Sequence, residues 1–155
     1  MVIALDLLRA RPSPSSYDHR MRRSNGVPAL AGRAARAVAV GRVGLGLVAL
    51  ARPSVPARPW VGGAADDLAA TVFGRALGAR DVALGLGALR AWQHQAAEPG
   101  SVRAWVAAGA LADALDVATS LASWRELPRA GRWAVVLSAG AAALTGAAGA
   151  LTAGQ

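Results

Sequence analysis

An all-α fold, a four-helix transmembrane bundle with a disordered basic N-terminal tail, is what this sequence predicts, and three observations predict it. The 155 residues contain four long apolar segments, roughly 34–51, 68–91, 102–124 and 133–153. Alanine and leucine dominate them, β-branched residues are sparse and no period-2 alternation interrupts them, so all four read as helices. All five tryptophans, Trp60, Trp92, Trp105, Trp124 and Trp133, stand at or beside segment ends. The nineteen steps from Trp105 to Trp124 rise roughly 28 Å as a helix, close to the hydrocarbon thickness of a bilayer, which is the spacing of a membrane-interface belt.

Residues 1–33 hold a polar, arginine-bearing stretch in which Pro12, Pro14, Ser13, Ser15 and Ser16 break any helix, so they read as the tail. Met21-Arg22-Arg23 has the form of an alternative start, which would leave residues 1–20 untranslated. The membrane domain is expected over 34–155. A secretory signal competes for its first segment, with Val38–Leu50 as the apolar region and Ala49-Leu50-Ala51 as a cleavage-like triplet. Arg42 in the centre of that region opposes cleavage. Three prolines between Pro53 and Pro59 mark a connection, and Asp66-Asp67 suit the capped start of the second segment. Glu98-Pro99-Gly100 reads as a compact turn, and Leu127-Pro128 with Gly131 closes the third segment.

Composition excludes more than it identifies. The net charge is +8, carried by 17 arginines and no lysine. These arginines divide between the N-terminal region, from Arg9 to Arg36, and positions scattered by the apolar segments. That pattern suits the positive-inside rule rather than a nucleic-acid partner. No cysteine is present, which removes disulfides, thiolate metal sites and thiol redox chemistry. His19 falls in the tail and His94 in a loop, without companion ligands, so no metal site is expected. Ser120, Ser123 and Ser138 have no nearby histidine, and the glycines of Gly41–Gly46 follow no strand. The sequence therefore predicts no enzyme and no cofactor.

Six charged residues lie inside the apolar segments: Arg42, Arg75, Arg80, Asp81, Asp113 and Asp116. The second segment, with three of them, costs roughly 7–10 kcal/mol to insert against about 4 returned by its Leu, Val and Phe residues. It cannot enter lipid alone, so its charges are expected to face inward. Arg42, Arg80, Asp81 and Asp113 fall at the midpoints of their segments, with Arg75 and Asp116 displaced toward the 52–67 side. Three arginines facing three aspartates would make a neutral buried layer, as burial of charge demands. Gly109, Asp113, Asp116, Ser120 and Ser123 share an arc of about 80° on a helix. Gly74, Gly78, Asp81 and Gly85 share a stripe on another, and Gly74–Gly78 is a GxxxG match that lets backbones approach in lipid.

The strings Gly41-Arg42-Val43-Gly44-Leu45-Gly46, Gly74-Arg75-Ala76-Leu77-Gly78-Ala79-Arg80-Asp81 with Leu84-Gly85, and Ala112-Asp113-Ala114-Leu115-Asp116 carry a resemblance. Over roughly residues 36–152 the chain resembles a family of small actinobacterial four-helix membrane proteins, a domain of unknown function distantly similar to DoxX-like proteins. The resemblance implies four spans and an inner-membrane location, and implies no activity.

The expectation is thus a small integral membrane protein of the bacterial cytoplasmic membrane, a structural or accessory component with both termini on the cytoplasmic side. Its partner is the lipid bilayer, and its small-residue helix faces suit a homo-oligomer or another membrane protein. Two alternatives stay open: a proton- or ion-coupled carrier of a small polar solute, and a water-soluble Ala-rich bundle.

Overall fold

A computed structural model of the chain describes residues 26–98 and 100–152, and no strand occurs among them. Helix α1 runs Gly26–Ala51, α2 Ser54–Val61, α3 Leu68–Gln93, α4 Ser101–Ala122 and α5 Arg129–Thr152. A short 3-10 turn, Gly62–Asp66, joins α2 to α3. The four long helices coincide with the four apolar segments. Helix α1 begins earlier than expected: residues 26–33 are helical, because the run from Ala29 to Ala35 is made largely of good helix formers that extend the segment backward. The rest of the expected tail, with His19, lies outside the described residues.

The 52–67 connection is not the plain loop that its prolines suggested. Pro53 stands at the N-cap of α2 and Pro56 in its first turn, where the missing amide hydrogen has no intrahelical partner to lose. Only Pro59 falls deeper in the helix. The connection is therefore a short helix laid across one end of the bundle.

Helix α1 packs chiefly on α3 and also on α5, and α4 packs chiefly on α5 and also on α3. This leaves α1 and α4 across a diagonal. Neighbours run antiparallel. Gly46 lies against Gly78 and Val82 while Gly85 lies against Ala39 and Val43, and Gly146 lies against Ala110. The α1–α3 approach is set by glycine. A Cβ on Gly46 would stand 2.6 Å from the carbonyl oxygen of Gly78, and one on Gly78 would stand 2.8 Å from that of Gly46. These contacts put the predicted Gly78–Gly85 stripe in the α1–α3 seam.

What is inside and what is outside are inverted relative to a water-soluble bundle. The buried apolar positions are mostly alanines, such as Ala35, Ala39, Ala49, Ala88 and Ala91, whereas Phe73, Leu115, Leu137 and Leu144 lie exposed. Helices α1 (from Ala29), α4 and α5 are long and apolar enough to cross a membrane, and only 22–28 % of their apolar stretches is buried within the protein. Leucine and valine exposed along such long apolar helices suit contact with lipid. Helix α3 matches them in length but carries Arg75, Arg80, Asp81 and Arg90, and is not apolar enough to cross by itself. The contiguous core of Ala35, Ala91, Val102, Val106 and Ala150, with Trp92 against it, fills the half of the bundle nearest the 94–100 turn.

Candidate functional site

Arg42 occupies the middle of α1 and reaches two other helices. Its Nη1 donates to Asp81 Oδ1 on α3 at 2.9 Å. Its Nη2 donates to the Gly109 carbonyl oxygen on α4 at 2.7 Å and also to Asp113 Oδ2. Gly109 permits this because it presents bare backbone to the guanidinium: a Cβ there would touch Arg42 Nε at 3.4 Å. Arg80 continues the pattern from α3. It donates through Nη1 and Nη2 to the two carboxylate oxygens of Asp116 at 3.1 and 2.7 Å, and through Nη2 to Asp81 Oδ1 at 3.4 Å.

The result is a ladder of alternating sign: Asp113, Arg42, Asp81, Arg80, Asp116. Its inner end is the more buried, with the Arg42 and Asp113 side chains 10 % and 9 % exposed and that of Arg80 31 % exposed. Bidentate and charge-assisted bonds are what make such a cluster tolerable away from water. Behind it, Ser120 is fully buried and returns its hydroxyl hydrogen to the Asp116 carbonyl at 2.7 Å. The predicted arc on α4 thus holds for Gly109, Asp113, Asp116 and Ser120, whereas Ser123 is exposed just past the helix end.

Five of the six predicted charges meet, and Arg75 does not. It lies about 140° around α3 from Arg80, since five residues turn the helix by 500°. It is exposed, and its Nε donates to the Leu50 carbonyl oxygen at 3.3 Å, in the last turn of α1. A cation is favoured at that end of a helix dipole and can extend toward the interface. The expected neutrality of three against three is therefore replaced by three carboxylates against two guanidinium groups, a formal excess of one negative charge.

The ladder forms one wall of a cavity of about 370 Å³ that extends toward α2. Arg42, Arg80, Asp81, Asp113 and Asp116 all line it. Helix α2 and its N-cap border it through Pro53, Pro56, Ala57 and Trp60, with Pro59 beside them, and the rest of the lining is apolar apart from Ser138, with Leu45, Leu77 and Val135 among it. Position 53 followed by 56, 57 and 60 is the i, i+3, i+4, i+7 stripe of an amphipathic helix, a signal hidden by its prolines. Sequence reasoning treated Trp60 only as an interfacial residue. On the far side of Arg42 and Asp113 a second void of about 20 Å³, the size of a water molecule, is bounded by Ala35, Trp105 and Gly109.

Around this site the other expectations sort out plainly. Trp92 and Trp105 lie at one end of the bundle, and Trp60, Trp124 and Trp133 at the other. Trp124 and Trp133 meet edge to face with centroids 5.4 Å apart, and Arg132 lies 5.5 Å over Trp124. Asp67 holds the N-cap position of α3 but its side chain makes no capping bond. Asp66 instead accepts two bonds from Arg58, at 3.0 and 2.9 Å, which ties α2 to the turn that follows it.

Three membrane-length apolar helices and a buried ion ladder define the class: a helical protein with three candidate membrane spans. Compared with known protein families, with curated proteins and with solved structures, the chain matches none.

Proposed function

We propose that this protein is a small four-span membrane carrier that binds a polar solute in the cavity between the Arg–Asp ladder and α2. The cavity is the observation that carries this reading. Ion pairs that served only to fix helix register would be expected to pack shut, yet these border about 370 Å³ of space lined otherwise by apolar groups and Ser138. Helix α3 crosses as the fourth span, because α1 covers its glycine stripe and the ladder holds Arg80 and Asp81 away from lipid, while the exposed Arg75 and Arg90 lie toward its two ends and can extend to the interfaces. Both termini lie on the cytoplasmic side of a bacterial inner membrane, in keeping with the arginine-rich N-terminal region. Kinship with the small four-helix, DoxX-like membrane proteins is part of the proposal and rests on the Gly74–Asp81 and Ala112–Asp116 strings.

The ladder also favours a second reading, a structural or accessory component, because Arg42 joins three helices at once. Asp113→Asn separates the two. The protein is reconstituted in liposomes with an entrapped pH dye and challenged with small polar solutes. The carrier reading expects a pH-linked flux that Asp113→Asn abolishes while the size-exclusion profile stays unchanged. Intact flux in the variant would sink it, and loss of assembly without any wild-type flux would favour the structural role.

A further inference from the structure

We infer that the solute is a small organic cation with an apolar body, taken up in exchange for one proton; this rests on the cavity being a binding site. Charge on the cavity wall argues for it first. Every terminal nitrogen of Arg42 and Arg80 already donates to the ladder or to the Gly109 carbonyl, and Arg80 Nε, though without a partner among the described residues, is fully buried, so neither guanidinium presents a free fork to an anion. Asp81 Oδ2 and Asp113 Oδ1, by contrast, accept no hydrogen bond among the described residues, and both aspartates line the cavity. No charged residue of α2 or α5 borders it, and Arg75 is turned away to Leu50. The groups facing the cavity are then Arg42 from α1, Arg80 and Asp81 from α3, and Asp113 and Asp116 from α4. They leave one negative charge unanswered.

Two further features narrow the cation. A bare metal ion requires several oxygen donors around one point, and among the described residues no three acidic or histidine side chains are grouped to hold one. Apart from Ser138, whose hydroxyl donates to the Ala134 carbonyl, the remaining lining is apolar, and it includes Trp60 of α2, an indole able to attract an ammonium group by its π face. An ammonium head against Asp81 and Asp113 with a hydrocarbon body against Leu45, Leu77 and Trp60 uses every part of the cavity. A low-dielectric site does not hold its odd negative charge unanswered, so one proton neutralises it when the cation is absent. On binding, that proton leaves to water and the carboxylate pairs with the ammonium. No other bond changes, and the site is neutral in both states.

The test is calorimetric titration of the purified protein with benzyltrimethylammonium, whose charge is independent of pH. It is run in two buffers of different ionisation enthalpy, beside phenylacetate and benzyl alcohol. The expected result is binding of the cation with release of about one proton, tightening about tenfold per pH unit where the empty site is protonated. Asp81→Asn should remove the proton release and weaken the cation at least about tenfold. Trp60→Leu, outside the ladder and so usable if the aspartate variant does not fold, should weaken the cation about fivefold and benzyl alcohol less, since only the cation loses a π-face contact. Binding of phenylacetate or benzyl alcohol but not of the cation would overturn the cation and leave the binding site standing. Cation binding without proton release would overturn the exchange. No heat from any of the three probes would overturn the inference and the site together.

Discussion

Arg42 concentrates more of the structure in one side chain than any other residue of the ladder. It is nearly buried and donates to a carbonyl and two carboxylates on two other helices, the adjacent α3 and the diagonal α4. Arg42→Gln leaves Asp81 and Asp113 short of their partner, and should cost about 3–5 kcal/mol of stability. Arg75→Gln removes one exposed contact and should cost under about 1 kcal/mol. Denaturant unfolding in detergent micelles measures both, and equal losses would mean that Arg75 belongs to the ladder after all. The depth of the ladder was legible from segment midpoints, and the inward direction of Asp113 and Asp116 from helical angle. The exclusion of Arg75 was legible only in part. Its angle on α3 set it apart from Arg80, but the Leu50 carbonyl that receives it becomes visible only when α1 and α3 are packed.

Among the helices, the α1–α3 seam depends on small residues at fixed places. Gly78→Leu drives a side chain into the backbone of α1 and should destabilise by about 1–3 kcal/mol or more. Gly41→Ala and Gly44→Ala are the contrast, since a Cβ at either meets nothing within 4 Å. Each should be neutral or stabilising by up to about 1 kcal/mol, as alanine is the better helix former. Thermal melts of the three variants check this, and a cost at Gly41 or Gly44 would point to a neighbour packed there in the membrane. The GxxxG pattern announced a close approach but not which helix makes it. Helix α2 was the element least legible in sequence, because Pro53 and Pro56 are breakers in a helix interior and harmless at a helix start, and Pro59 sits inside the helix all the same. Telling the two apart needed the position at which the helix begins.

For the molecule as a whole, lipid-facing leucines and an interior of alanine, glycine and charge leave little that water could stabilise. Because the chain has no cysteine, Ala64→Cys, Gln95→Cys and Ala130→Cys, all at exposed positions, each report one face without background. A membrane-impermeant thiol reagent should label 64 and 130 but not 95 in intact cells, and all three after lysis. Labelling of 95 alone would reverse the orientation, and labelling on both faces in another combination would remove α3 as a span. The bundle is also uneven along its axis: its contiguous core fills the half near the 94–100 turn, and its cavity opens the half under α2. An electrical asymmetry follows. On the carrier reading, the cavity would fill with water whenever it opened to the α2 side and would then carry little of the transmembrane voltage, so most of the field would fall across the packed half, beyond Arg42 and Asp113. A charge reaching the ladder from the α2 side does almost no electrical work. The same charge leaving toward the other face crosses most of the potential, worth about 2.3 kcal/mol per 100 mV. One half of any transport cycle would then feel the membrane potential, and the other half would not.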